Sequence, residues 1–171
     1  LEGDTGSVQV AGTLDVSGKG NAETGGSIGV FGRHLALTGA SLDASGDSGG
    51  GSILLGGGWQ GAAVPGISTP AALTTTISAD SALNASALTQ GNGGTVVAWS
   101  DIHNARSVTS VAGTLLARGG TATGNGGNIE TSGHRLNVNG ARVNAGAIAG
   151  NGGLWLIDPY DIRIEDGNAT M

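Results

Sequence analysis

The chain has 171 residues, 35 of them glycine, with 38% apolar and 12% charged residues, no cysteine and a formal net charge of −6. Glycine is about three times its usual share of roughly 7%, and charge about half its usual ~25%. This composition excludes disulfides and thiolate chemistry, argues against nucleic acid, which needs a basic face, and is too apolar for simple disorder. It also excludes collagen, since there are 3 prolines and no strict glycine period. No apolar run approaches a membrane-spanning length, so no membrane insertion is expected. The opening Leu1-Glu2-Gly3-Asp4 lacks a signal peptide's basic start and apolar core. It reads as the middle of a repeat, so a piece of something longer is expected.

In chain order, the first partial unit alternates Val8 and Val10, then Leu14 and Val16. The next gives Ile28 and Val30, Leu35 and Leu37, Leu42 and Ala44. A later one gives Ile129 and Thr131, Leu136 and Val138, Val143 and Ala145. Period-two alternation signals half-buried strands, so three short strands per unit are expected. Glycine pairs mark the units at Gly25-Gly26, Gly50-Gly51, Gly93-Gly94, Gly126-Gly127 and Gly152-Gly153, in steps of 25, 43, 33 and 26 residues. Gly-Asn-Gly-Gly occurs three times, at 91–94, 124–127 and 150–153; both residue types accept positive φ cheaply at corners. The long steps read as a coil plus an insertion, roughly 57–79 and 100–109. One coil cannot bury its apolar residues, but stacked coils can, at about 4.8 Å each. The expected fold is therefore all-β: a right-handed parallel β-helix of about six coils with insertions. A β-sandwich or a glycine-rich disordered tract is the alternative.

The strands Gly94-Thr-Val-Val-Ala-Trp-Ser100 and Gly126-Gly-Asn-Ile-Glu-Thr-Ser-Gly133, and above all Gly153-Leu-Trp-Leu-Ile-Asp-Pro-Tyr-Asp-Ile162, resemble repeats of filamentous haemagglutinin-like exoproteins. The likeness covers about residues 90–165, and the rest is generic coil. It implies a large secreted surface protein of Gram-negative bacteria. Such proteins leave by the two-partner route through an outer-membrane transporter and fold outside as right-handed β-helices. No counterpart of the amino-terminal secretion domain is seen, so the segment is expected to be passenger. Members of the family include adhesins, biofilm matrix proteins, haem scavengers and toxin carriers. A host receptor, a glycan or a matrix polysaccharide is therefore the kind of partner implied, and a plain spacer is the alternative.

Candidate sites are sparse. Polysaccharide-cleaving β-helix enzymes cluster two or three carboxylates, or pair one with Arg or Lys. Here Asp15 and Asp43 share an outward position without a basic partner, and Asp158, Asp161, Glu165 and Asp166 read as a polar edge. No catalytic residue and no cofactor are expected. Calcium-binding nonapeptides need an Asp that Gly-Asn-Gly-Gly lacks, Asp47 being a lone exception. His34 and His134 read as turn residues at matching corners, so no metal site is expected. The aromatic residues stand out. If Ile28, Val30, Val96 and Ala98 point inward, then Phe31 and Trp99 point outward with Val97, Leu54 and Leu156. Such a strip either stacks on sugars or anchors a partner, or is covered by the insertions, with Trp59 placed to close over it. Asn84 and Asn168 lie in glycosylation sequons.

Overall fold

The computed structural model describes residues 2–68 and 71–161, with side chains from residue 6 onward. Among these, twelve strands pair in parallel into one sheet that wraps around an apolar interior. They are β1 (Glu2–Asp15), β2 (Ser27–Asp43), β3 (Ser52–Leu55), β4 (Thr74–Ile77), β5 (Ala82–Asn84), β6 (Thr95–Trp99), β7 (Val108–Val111), β8 (Thr114–Leu116), β9 (Asn128–Gly133), β10 (Arg135–Asn137), β11 (Arg142–Asn144) and β12 (Leu154–Pro159).

Three ladders run side by side. On the first face the start of β2 pairs with β3, then β6, β9 and β12. On the second face β1 pairs with β2, then β4, β7 and β10. On the third face the ends of β1 and β2 are followed by β5, β8 and β11. β2 runs through all three faces without a break.

The alternation read from the sequence sets the interior. Ile28, Ile53, Val96, Ile129 and Trp155 share one row, and Val30, Leu55, Ala98, Thr131 and Ile157 the next. Leu42, Leu83 and Leu115 align on the third face. All of these are buried except Trp155 and Ile157 at the last strand. Two inward positions on the second face are threonine, and each hydroxyl finds an acceptor. Thr75 donates to the Trp99 carbonyl at 2.8 Å and Thr109 to the Ser132 carbonyl at 2.7 Å, so neither is an unpaired buried polar group.

The glycine pairs close the corner between the third face and the first. The second glycine of each pair donates its N–H back across the corner: Gly26 to Val16, Gly51 to Ala44, Gly94 to Ala85, Gly127 to Ala117 and Gly153 to Ala145. The first glycine sits so close that a Cβ on Gly50, Gly93 or Gly126 would fall inside the carbonyl of Ala85, Ala117 or Ala145. Glycine is required there by the close backbone approach rather than by flexibility. At the neighbouring Gly-Asn turn, the Asn92 side-chain oxygen accepts the Asn125 N–H at 2.8 Å, and the Asn125 oxygen accepts the Asn151 N–H at 2.9 Å.

The insertions are narrower than the sequence suggests. β4 lies within the expected 57–79 span and belongs to the second face, as does β7, which starts at Val108 inside the expected 100–109 span. The irregular segments are residues 56–73 and 100–107. Threonine-rich β4 was hard to separate from a loop because its inward Thr75 breaks the apolar pattern.

Candidate functional site: the covered outer strip

Outward positions of the first face are apolar in most rungs: Gly29, Leu54, Val97, Glu130 and Leu156 form one row. Phe31 and Trp99 follow one position past the ends of inward rows and stand outside the central apolar column. Phe31 lies back over Gly29, where any Cβ would meet its ring. Both aromatics are buried, at 6% and 8% exposure.

The first insertion covers them. It leaves β3 through Gly56, makes a single 3-10 turn at Trp59–Gly61, and returns to β4. A Cβ on Gly57 would lie 2.8 Å from the Trp99 ring, and one on Gly61 3.0 Å. The insertion therefore lies flat on the indole only because it carries glycine there. Between cover and strip remains a cavity of about 200 Å³ lined by Phe31, Trp99, Gly57, Gly61, Val64 and Ile67. Trp59 is half-buried and does not line this cavity; the smaller residues after it do.

Glu130, which the sequence reading did not single out, holds the cover. It is fully buried on the outer side of β9. One carboxylate oxygen accepts the Gln60 N–H at 2.7 Å, and the other accepts the Ser132 hydroxyl at 2.7 Å. Burial pushes its pKa above the ordinary range; the two hydrogen bonds oppose that, and the charge of Asp158 adds to it. An acid in a row otherwise filled by Gly, Leu and Val was the available signal. Gln60 has φ 54°, ψ 34°, a left-handed conformation costly for a residue with a Cβ.

The other candidate residues do not join this strip. Asp15 and Asp43 share a row with Asn84, Leu116 and Asn144. The expectation that they lack a basic partner is corrected: Lys19 Nζ lies 2.9 Å from Asp43 and 3.8 Å from Asp15. Four members of the row do the same local work, each side-chain oxygen accepting the backbone N–H two residues on, at Ser17, Ser45, Ser86 and Gly146. This is the Asx-turn that ends the third strand. The Asn84 amide nitrogen of the first sequon donates to Asp43 at 3.4 Å; Asn168 lies outside the described residues. His34 and His134 are not at matching positions either. His34 shares its row with Thr74, Val108 and Arg135 and bonds the Thr74 hydroxyl at 3.0 Å. His134 meets the Ile102 carbonyl of the second insertion at 3.1 Å and stacks on Tyr160.

No family model matches the chain, and no curated protein matches it. Among solved structures it is similar to the HMW1 secretion domain from Haemophilus influenzae, with 28% identity and a TM-score of 0.70. The match covers 92% of this chain and 38% of that one, so the chain spans well under half of the neighbour's length. The expectation that no counterpart of a secretion domain is present needs correction, because nearly the whole chain aligns with part of one. The likeness, in sequence and fold together, supports a segment of a secreted exoprotein related to two-partner secretion.

Proposed function

We propose that this chain is a segment of a right-handed parallel β-helix of about six coils, from a bacterial exoprotein exported by the two-partner route. In this reading it contributes to attachment to host cells or biofilm matrix, at the cell surface or after release. The observation that carries it is the 28% identity to a secretion domain over 92% of the chain, combined with one continuous apolar column. A partner outer-membrane transporter then meets the segment, or the protein containing it, during export. The chain is read as non-catalytic: the acids of the third face make Asx-turns, and Glu130 is sealed beneath the insertion.

The test has two arms. The full chain, fused to a reporter, is expressed with and without a two-partner transporter; export only in its presence supports the reading, and retention in both overturns direct contact of this segment with the transporter. The purified chain is then offered to epithelial cells and to matrix polysaccharide. Saturable attachment supports adhesion, and none at all reduces the chain to a spacer.

A second reading, a carbohydrate- or protein-binding module, is favoured by one observation: the cavity lined by Phe31 and Trp99. In it, those two aromatics with Trp59 form the contact surface.

A further inference from the structure

The segment 57–67 is joined to the sheet unlike the strands. Along the strands the backbone is tied rung to rung by the parallel ladders, and the second insertion, 100–107, is anchored by the Asp101 N–H to the Ala72 carbonyl. Within 57–67, Gly58 donates to Ala62, Gly61 to Gly58, Ala62 to Trp59, and Ile67 to Val64, all inside the segment. Among the described residues, its hydrogen bond to the sheet is the one from Gln60 to Glu130. That bond skips 70 positions in sequence and two rungs in space, from the rung of β3 past β6 to β9. At its bends stand Gly56, Gly61 and Gly66, with φ of 79°, 73° and 80°. Beneath it is the cavity of about 200 Å³ rather than core-density packing. Few ties to the framework and a poorly filled underside are the marks of a unit that opens on its own.

We propose that residues 57–67 form a strap that opens and closes as a unit over Phe31 and Trp99, with the Glu130 carboxylate as its clasp. The clasp holds Gln60 in its left-handed conformation. When it lets go, that backbone relaxes and the strip of Phe31, Val97 and Trp99 meets solvent. The ionisable group whose charge reaches the clasp is Asp158 on β12, which adds to the rise that burial gives the Glu130 pKa. The strap gates the aromatic surface of the second functional reading and rests on that reading for its purpose. Its opening is measurable with no ligand present, so the two ideas fail separately.

Hydrogen exchange of the full chain, resolved to short peptides, tests the strap. In Glu130→Ala, amides of 57–67 should exchange roughly tenfold faster, as expected for a buried hydrogen bond left unmade. β6 and β9 should keep their protection. In Glu130→Gln the amide oxygen still accepts from Gln60, and the strap should exchange as in the parent chain. Unchanged strap exchange in Glu130→Ala overturns the clasp; loosening of strap and sheet together overturns the separate unit; a strap as loose in Glu130→Gln as in Glu130→Ala overturns the hydrogen-bond basis. Should Glu130→Ala fail to fold, the parent chain decides under low denaturant. Strap amides exchanging through an opening insensitive to denaturant support the strap, and exchange only through the opening shared with β6 and β9 overturns it.

Discussion

The outer sides of the first and second faces are built on the same strand geometry and end up in opposite environments. On the second face the outward row is Gln9, Ala36, Thr76, Ser110 and Asn137, small or polar side chains left at least partly in water. On the first face the equivalent side carries Leu54, Val97, Phe31 and Trp99, and the chain spends a loop of glycine and alanine to keep the aromatics dry. The contrast shows that a coil's inward face decides whether it stacks, while its outward face decides what is added to it. A bare outer side can be polar at no cost; an aromatic one needs a cover, since each buried large apolar side chain is worth about 1.5–3 kcal/mol.

The comparison can be broken first at the column both faces share. Ile53→Asp or Ile129→Asp places an unpaired charge at a position with no exposure. The expected cost is about 4 kcal/mol or more, seen as loss of the β signature in circular dichroism or a collapse of the melting temperature. A mild effect would mean the interior is not the stacked column described.

Next comes the covered side. Trp99→Ala removes the ring on which Gly57 and Gly61 rest and should cost about 3 kcal/mol, lowering the melting temperature by roughly 10 °C. An unchanged melting temperature with lost binding to cells or glycans would instead mark the strip as a ligand surface.

Glu130 gives a smaller effect with a defined pH dependence. Its folded-state pKa is raised, chiefly by burial. Its contribution is therefore most favourable below the ordinary carboxylate range and declines as pH rises through the raised value. Glu130→Gln keeps the acceptor for Gln60 and removes the buried charge. The stability of the variant relative to the parent should thus increase from pH 4 to pH 7 in thermal melts. A difference that stays flat or runs the other way would show that the carboxylate is not penalised by its surroundings.

The smallest effects belong to the bare side. Gln9→Asp and Asn137→Asp should each change stability by no more than about 0.5 kcal/mol, and the Asp at 137 keeps an acceptor for the Asn139 N–H. A cost as large as that of the Ile53 variant would reverse the inward and outward assignments.

Much of this was legible from local pattern. The inward rows through Ile28, Ile53, Val96 and Ile129 follow from period-two alternation, and the outward placement of Phe31 and Trp99 follows from the same phase. What escaped the sequence depends on contacts between distant rungs. Glu130 reads as an ordinary exposed acid until Gln60, 70 residues earlier, is laid against it. Lys19 reaches Asp43 across 24 residues of separation, which no local window reveals. β4 and the start of β7 were lost in the insertions because Thr75 on β4 and Thr109 on β7 carry interior positions with hydroxyls bonded to backbone carbonyls, a satisfaction that hydropathy cannot register.

The sealed corner at each glycine pair has a consequence for how such a chain tolerates change in length. Steps of 25, 43 and 33 residues return to the same point at Gly25, Gly50, Gly93 and Gly126, because only a residue without a side chain fits against the alanine carbonyl there. The chain's phase is thereby reset once per turn. Residues added at 56–73 or 100–107 bulge outward and are forgotten by the next corner, so indels do not accumulate into slippage along the axis. Lengthening one loop leaves every later rung in step, whereas one added methyl at Gly93 or Gly126 would push the corner itself off the carbonyl of Ala117 or Ala145.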